Sequence, residues 1–152
     1  MTITIQISEH CGKHVEKILR ALPEWFGQED STLQYIKDAD TMSSMLAKDG
    51  DDVIGFITIR KHFPETAEMH CLGILSKYHR SGIGRQLVTA VENHLRSEGV
   101  KFLQVKTVSE DRDCKAYAKT REFYLGVGFT PLEVLPTLWD KANPCLLLVK
   151  HL

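Results

Sequence analysis

Apolar and polar residues alternate in the first stretch, "TITIQI", so Ile3, Ile5 and Ile7 predict one face of a β-strand. The period then changes. Val15, Ile18, Leu19 and Leu22 recur at helical spacing behind Ser8, a residue suited to capping, and Pro23 ends the run. After the irregular "EWFGQEDS", Asp30 or Ser31 starts a second predicted helix with Leu33 and Ile36 on its inner side. "TMSSMLAK" and "DVIGFITIR" read as strands of a hairpin about the turn "DGDD", and "AEMHCLGIL" follows Pro64 as a further strand. Ile83, Leu87, Val91 and Leu95 then repeat every fourth residue, predicting an amphipathic helix that ends at Gly99. "FLQVKTV" is a strand. "DCKAYAKTREFYLGVGF" places Ala116, Thr120, Phe123 and Val127 on one helical face, closed by Gly128. Two strands complete the pattern, around Phe129 to Leu135 and Pro144 to Lys150.

Strands and helices in this order, with one strand–helix–strand unit in the second half, predict an α+β or mixed α/β fold with a mostly antiparallel sheet. No repeat, low-complexity tract or linker interrupts the chain, so residues 1–152 read as a single domain. A hydrophobic share of 43% and a charged share of 26% are ordinary for a globular protein with a real core. The formal net charge of -1 excludes a general attraction to nucleic acid or to anionic membrane. No apolar run reaches membrane-spanning length, and "MTITIQISEH" lacks the basic flank and apolar block of a secretion signal. Cys11, Cys71, Cys114 and Cys145 are scattered without a CxxC pair, which predicts reduced thiols and a cytoplasmic location. The spacing of His10, Cys11 and His14 has no second half to complete a zinc site, so no metal is expected.

Chemistry concentrates in "KYHRSGIGRQLV", Lys77 to Val88, between a strand and a helix. Gly82 and Gly84 carry no Cβ to hold a ligand away, the helix start presents free N–H groups, and Arg80 and Arg85 add charge. No carboxylate occurs between Glu68 and Glu92 to repel an anion. The stretch fits a phosphate site, although a plain helix start with solvated arginines explains the same residues. A mononucleotide P-loop is excluded because GxxxxGK[ST] is absent, and the Rossmann fingerprint because Leu87 stands where a third glycine is required.

The succession "AEMHCLGI", "YHRSGIG" and an amphipathic helix resembles the acetyl-CoA-binding core of the GCN5-related N-acetyltransferases, whose signature is [Q/R]xxGx[G/A]. Gly82 and Gly84 match its small positions, and "TREFYLGVGF" is similar to the later motif in which a tyrosine-bearing helix leads into a "GF" strand entry. The resemblance covers roughly Val53 to Leu152. It departs from the pattern at His79, which occupies the [Q/R] position, with an arginine displaced to Arg80. It implies a six- to seven-stranded sheet flanked by about four helices. It also implies acetyl-CoA as co-substrate and direct transfer of acetyl to a primary amine through a tetrahedral intermediate.

By the same resemblance, Leu72, Gly73 and Ile74 form the strand edge for the pantetheine amides, with the Leu72 N–H polarising the thioester. His79, Arg80, Ser81, Gly82, Ile83, Gly84 and Arg85 receive the pyrophosphate. Gly73 suits a close approach or a bulge. Glu68 stands where the histone-acetylating branch places its catalytic base, and His70 shares its strand face as a relay or replacement. Tyr124 matches the tyrosine beside the CoA sulfur, where a phenol can protonate a departing thiolate. Cys71 has no evident histidine–acid partner and reads as a buried thiol. The loops "LPEWFGQED" and "LPTLWDKANP" offer Trp25, Phe26 and Trp139 to an acceptor amine, or anchor themselves to the core with the same rings. Polyamine, aminoglycoside, amino acid and peptide acceptors all remain open, as do another acyl donor, a non-catalytic acetyl-CoA sensor and a homodimer.

Overall fold

The protein is described by a computed structural model over residues 2–152. One seven-stranded sheet runs in the order β1-β2-β3-β4-β5-β7-β6. Its strands are β1 (Ile3–Ser8), β2 (Ser43–Asp49), β3 (Asp52–Phe63), β4 (Thr66–Ile74), β5 (Phe102–Val108), β6 (Thr130–Asp140) and β7 (Asn143–His151). Every neighbouring pair is antiparallel except β4–β5, the pair joined through a helix. The helices are α1 (Gly12–Arg20), α2 (Glu29–Thr41), α3 (Ile83–Ser97) and α4 (Lys115–Gly126). The mixed, mostly antiparallel sheet with four helices is the fold expected from the sequence.

Two cores lie on opposite faces of the sheet. Ile83, Leu87, Val91 and Leu95 of α3, buried as their spacing requires, pack on Ile57, Met69, Leu103 and Leu148 together with Tyr124 and Phe129. On the other face Val15, Ile18 and Leu19 of α1 pack on Leu46, Phe56 and Cys71. Ile3 and Ile5 of β1 reach the first core, but Ile7 is exposed, because the edge strand runs past the packed region. The helix α2 turns differently from expectation. Leu33 is exposed, whereas Thr32 and Ala39, small enough for close approach to α1, are buried. The start of α1 is also not capped by Ser8. The Gly12 N–H donates to the Asp40 carboxylate at 2.8 Å, and the Cys11 N–H donates to the Ala39 carbonyl at 3.1 Å.

All four cysteines are free thiols. Among the described residues no helix is long and apolar enough to cross a membrane, and no cluster of three or more metal-ligating side chains forms.

Candidate active site

Two irregularities in the centre of the sheet open the site. β4 and β5 pair only from Thr66↔Phe102 to Met69↔Val105, although both strands continue beyond that point. In the same place the β3–β4 register slips, from Ile59↔Met69 to Thr58↔Cys71, so His70 is an extra residue with no opposite number. Such a bulge bends the strand and re-aims its side chains. The strands diverge, leaving a cleft of about 1090 Å³ lined by His70 to Ile74 on one side and Lys106 to Val108 on the other. The bulge therefore falls at His70 and not at Gly73. A Cβ on Gly73 would stand 2.9 Å from Phe56 and 3.0 Å from Ile18, so that glycine serves the packing of α1 on the sheet.

At one end of the cleft, Arg80, Ser81, Gly82, Ile83, Gly84 and Arg85 form the strand-to-helix turn. Gly82 takes φ +84°, a left-handed conformation with open space where a side chain would project. Arg80 takes φ +59°, unusual for a residue with a side chain. His79 N–H donates to the Ser76 carbonyl and Gln86 N–H to the Gly82 carbonyl, while the N–H groups between them find no acceptor among the described residues. That row of free donors at the positive end of α3 is a fitting cradle for a diphosphate. Tyr78 fixes its base by donating to Asp49 at 2.7 Å. Arg85 donates to the Gly126 carbonyl at 3.2 Å, and His79 Nε2 meets the Ile74 carbonyl at 2.6 Å, so these two side chains brace the turn against α4 and β4.

Gly84 has a second duty. A Cβ there would lie 2.9 Å from the Phe123 ring, so the glycine lets α4 close on α3. Gly84→Val is expected to cost about 1–3 kcal/mol of stability by overpacking. Scanning calorimetry of the variant should show a lowered melting temperature, and an unchanged one would mean that α4 yields to the new side chain without cost.

The titratable groups gather at the other end. Tyr124 is buried and lines the cleft, and its hydroxyl has no partner among the described residues. Burial holds its phenol well above the usual tyrosine range. Cys71 also lines the cleft, yet burial, with Asp38 next in effect, pushes its thiol far up, which makes it a poor nucleophile. Glu68 is buried and absent from the cleft wall. Its carboxylate accepts from Lys106 Nζ at 3.0 and 3.1 Å and sits 2.7 Å from His62 Nε2. His70 does line the cleft, and its Nε2 is 2.8 Å from Asp38 Oδ2 on α2.

Trp25 and Phe26 both line the cleft and are anchored to their neighbours. Trp25 lines the cleft, and its indole N–H donates to Thr120 Oγ1 at 3.0 Å and the Ala116 carbonyl at 3.2 Å. Tyr117 returns a hydrogen bond to the Trp25 carbonyl at 2.6 Å, so this loop is pinned to α4 across the cleft mouth. Phe26 meets Tyr35 edge-on, with centroids 6.1 Å apart. Trp139 lies in strand β6 instead of a loop, half-exposed, and reaches the same cleft.

Asp38, Tyr35 and Lys106 were not singled out from sequence. A retrospective signal exists on α2, where Ser31, Tyr35 and Asp38 fall at helical spacing on one polar–aromatic stripe, and Ser31 and Tyr35 line the cleft.

The model of the Acetyltransferase (GNAT) family matches residues 13–123. A mycothiol acetyltransferase from Corynebacterium glutamicum (strain R) is 31% identical over 99 residues, 65% of this chain and 31% of that protein. The matches span between about a fifth and a third of the length of these curated relatives. Two solved structures share the fold. The GNAT family acetyltransferase from Elizabethkingia anophelis with acetyl-CoA bound has a TM-score of 0.76 at 19% identity, with 99% of this chain and 98% of that chain covered. The aminoglycoside 6'-acetyltransferase type Ii has a TM-score of 0.77 at 23% identity, with 97% and 96% covered. With well over half of its length matched by the family model and a sheet that opens where the family motifs lie, the chain belongs to the GNAT acetyltransferase family.

Proposed function

We propose that the protein transfers an acetyl group from acetyl-CoA to the primary amine of a small molecule or peptide. The observation that carries the reading is the joining of three features in one cleft: the free edge of β4, the unpaired amides of the glycine turn, and Tyr124. The co-substrate supplies an activated thioester carbonyl. The edge from Leu72 to Ile74 takes up its pantetheine amides as an added strand would, and the turn from Arg80 to Arg85 holds the diphosphate. The Leu72 N–H polarises the carbonyl. Tyr124, kept neutral by burial, donates a proton to the leaving sulfur. Glu68 is assigned to charge balance, because its oxygens already hold Lys106 in the cleft wall. Trp25, Phe26 and Trp139 shape the acceptor half, where the small molecules named for relatives, mycothiol and an aminoglycoside, set the class to test first.

Calorimetric titration with acetyl-CoA and desulfo-CoA, followed by thiol release over spermidine, kanamycin, alanine amide and a short peptide, tests this directly. Binding of both nucleotides and turnover of one amine class are expected. Binding without turnover of any amine would favour a sensor of acetyl-CoA, and an absence of binding would reduce the glycine turn to a helix start.

A further inference from the structure

A residue of the cleft wall, His70, meets a residue of α2 that lies behind it, Asp38. His70 is the bulged residue of β4, turned out of the regular alternation onto the α2 side of the sheet. There its Nε2 lies 2.8 Å from Asp38 Oδ2, and its ring stands edge-on to Tyr35 with centroids 5.4 Å apart. The other Asp38 oxygen accepts from Gln34 Nε2 at 2.9 Å, one helical turn earlier. Both members of the pair are shielded, with side chains 15% and 16% exposed. A carboxylate acceptor fixes the neutral imidazole with its proton on Nε2 and its lone pair on Nδ1. Nδ1 has no partner among the described residues, and His70 lines the cleft.

The geometry points to His70 as the general base of the acetyl transfer and to Asp38 as the residue that positions it. The inference rests on the transferase reading above. An acceptor ammonium gives one proton to Nδ1, which frees the lone pair for attack. As the N–C bond forms and the C–S bond breaks, Tyr124 gives its proton to the sulfur, which leaves as a thiol, and the second amine proton restores the Tyr124 hydroxyl. One proton is released overall, from the imidazolium to water. Glu68 is less suited to the task, since a cation already occupies both of its oxygens. The titratable groups around the ring are Tyr35 from α2, Cys71 from β4, Lys106 from β5 and Tyr117 and Tyr124 from α4, which line the cleft, with Asp38 of α2 and Glu68 of β4 behind its wall. Only Asp38 bonds the ring directly.

The test is the kcat and KM of the full chain against pH, with acetyl-CoA and the panel amine that gives the fastest thiol release. His70→Gln is expected to lower kcat by about 10²-fold, with acetyl-CoA affinity by calorimetry retained and the acidic limb of the kcat/KM profile abolished. Added imidazole should restore part of that activity. Asp38→Asn, nearly isosteric, should lower kcat by about tenfold with no rescue by imidazole, because its histidine is present but misheld. Full activity and an unchanged pH profile in His70→Gln would overturn the assignment while leaving the transferase intact. If the wild-type chain binds acetyl-CoA but turns over no amine, the transferase reading itself fails and takes the assignment with it.

Discussion

Lys150→Met is expected to lower stability by about 3–5 kcal/mol, a loss seen when one member of a buried ion pair is removed. Lys150 Nζ lies 2.5 Å from Glu92 Oε2, and the two side chains are only 22% and 8% exposed. Methionine fills nearly the same space, so the loss comes from the Glu92 carboxylate, left on the buried face of α3 without its cation. The same ammonium donates to the Val127 carbonyl at 2.7 Å, just past the end of α4, where it offsets the negative end of the helix. Lys150 also lies over Gly128, which turns the chain into β6 at φ +100°. One side chain on β7 thereby joins α3, α4 and the turn that fixes Tyr124. For a chain of this size the loss corresponds to a melting temperature lower by about 10 °C, measurable by scanning calorimetry. Replacing both partners, Glu92→Met with Lys150→Met, should recover much of it, since no charge is then stranded. Equal melting temperatures for the single variant and the wild type would show that the pair contributes nothing.

That ion pair also shows the limit of reading the sequence. The periodicity of Ile83, Leu87, Val91 and Leu95 identifies α3 and its buried face, because a helix facing a sheet is specified by local spacing. The same spacing puts Glu92 next to a buried position, but its partner is 58 residues away, and no local pattern encodes a contact of that range. The glycine turn was legible for the same reason that α3 was. Its φ +84° at Gly82 and its free amides follow from residues adjacent in the chain. Gly84 was legible only by half, because the Phe123 ring that needs its missing Cβ belongs to another helix. The bulge at His70 depends on the register between two strands, so the pair it makes with Asp38, 32 residues apart, appears only once β3, β4 and α2 are assembled. Leu33 and Trp139 failed in a related way. The inner face of α2 was set by close packing on α1 through small residues, and β6 is an edge strand that tolerates Pro131 and Pro136 and runs on to Asp140.

Tyr124→Phe is expected to reduce kcat by about 10²-fold, the ordinary contribution of a positioned general acid, with KM for acetyl-CoA changed by about twofold or less. The ring is held by packing between Phe123 and Phe129, at centroid distances of 5.6 and 5.9 Å, and phenylalanine keeps those contacts. The lost hydroxyl has no partner among the described residues, so no acceptor there is orphaned and the melting temperature should hold. The direction of the acidity shift adds a second signature. Burial disfavours the phenolate, so the hydroxyl stays protonated across the neutral range and beyond its ordinary value. A thiolate whose conjugate acid lies near 8.5 then finds a neutral donor at every working pH. The activity ratio of Tyr124→Phe to wild type should therefore be flat from about pH 6 to 9, in contrast to the profile expected for His70→Gln. Wild-type turnover in Tyr124→Phe would remove the hydroxyl from the mechanism. A ratio that changes across that range would instead show that Tyr124 titrates there, and that the sulfur leaves beside a phenol already losing its proton.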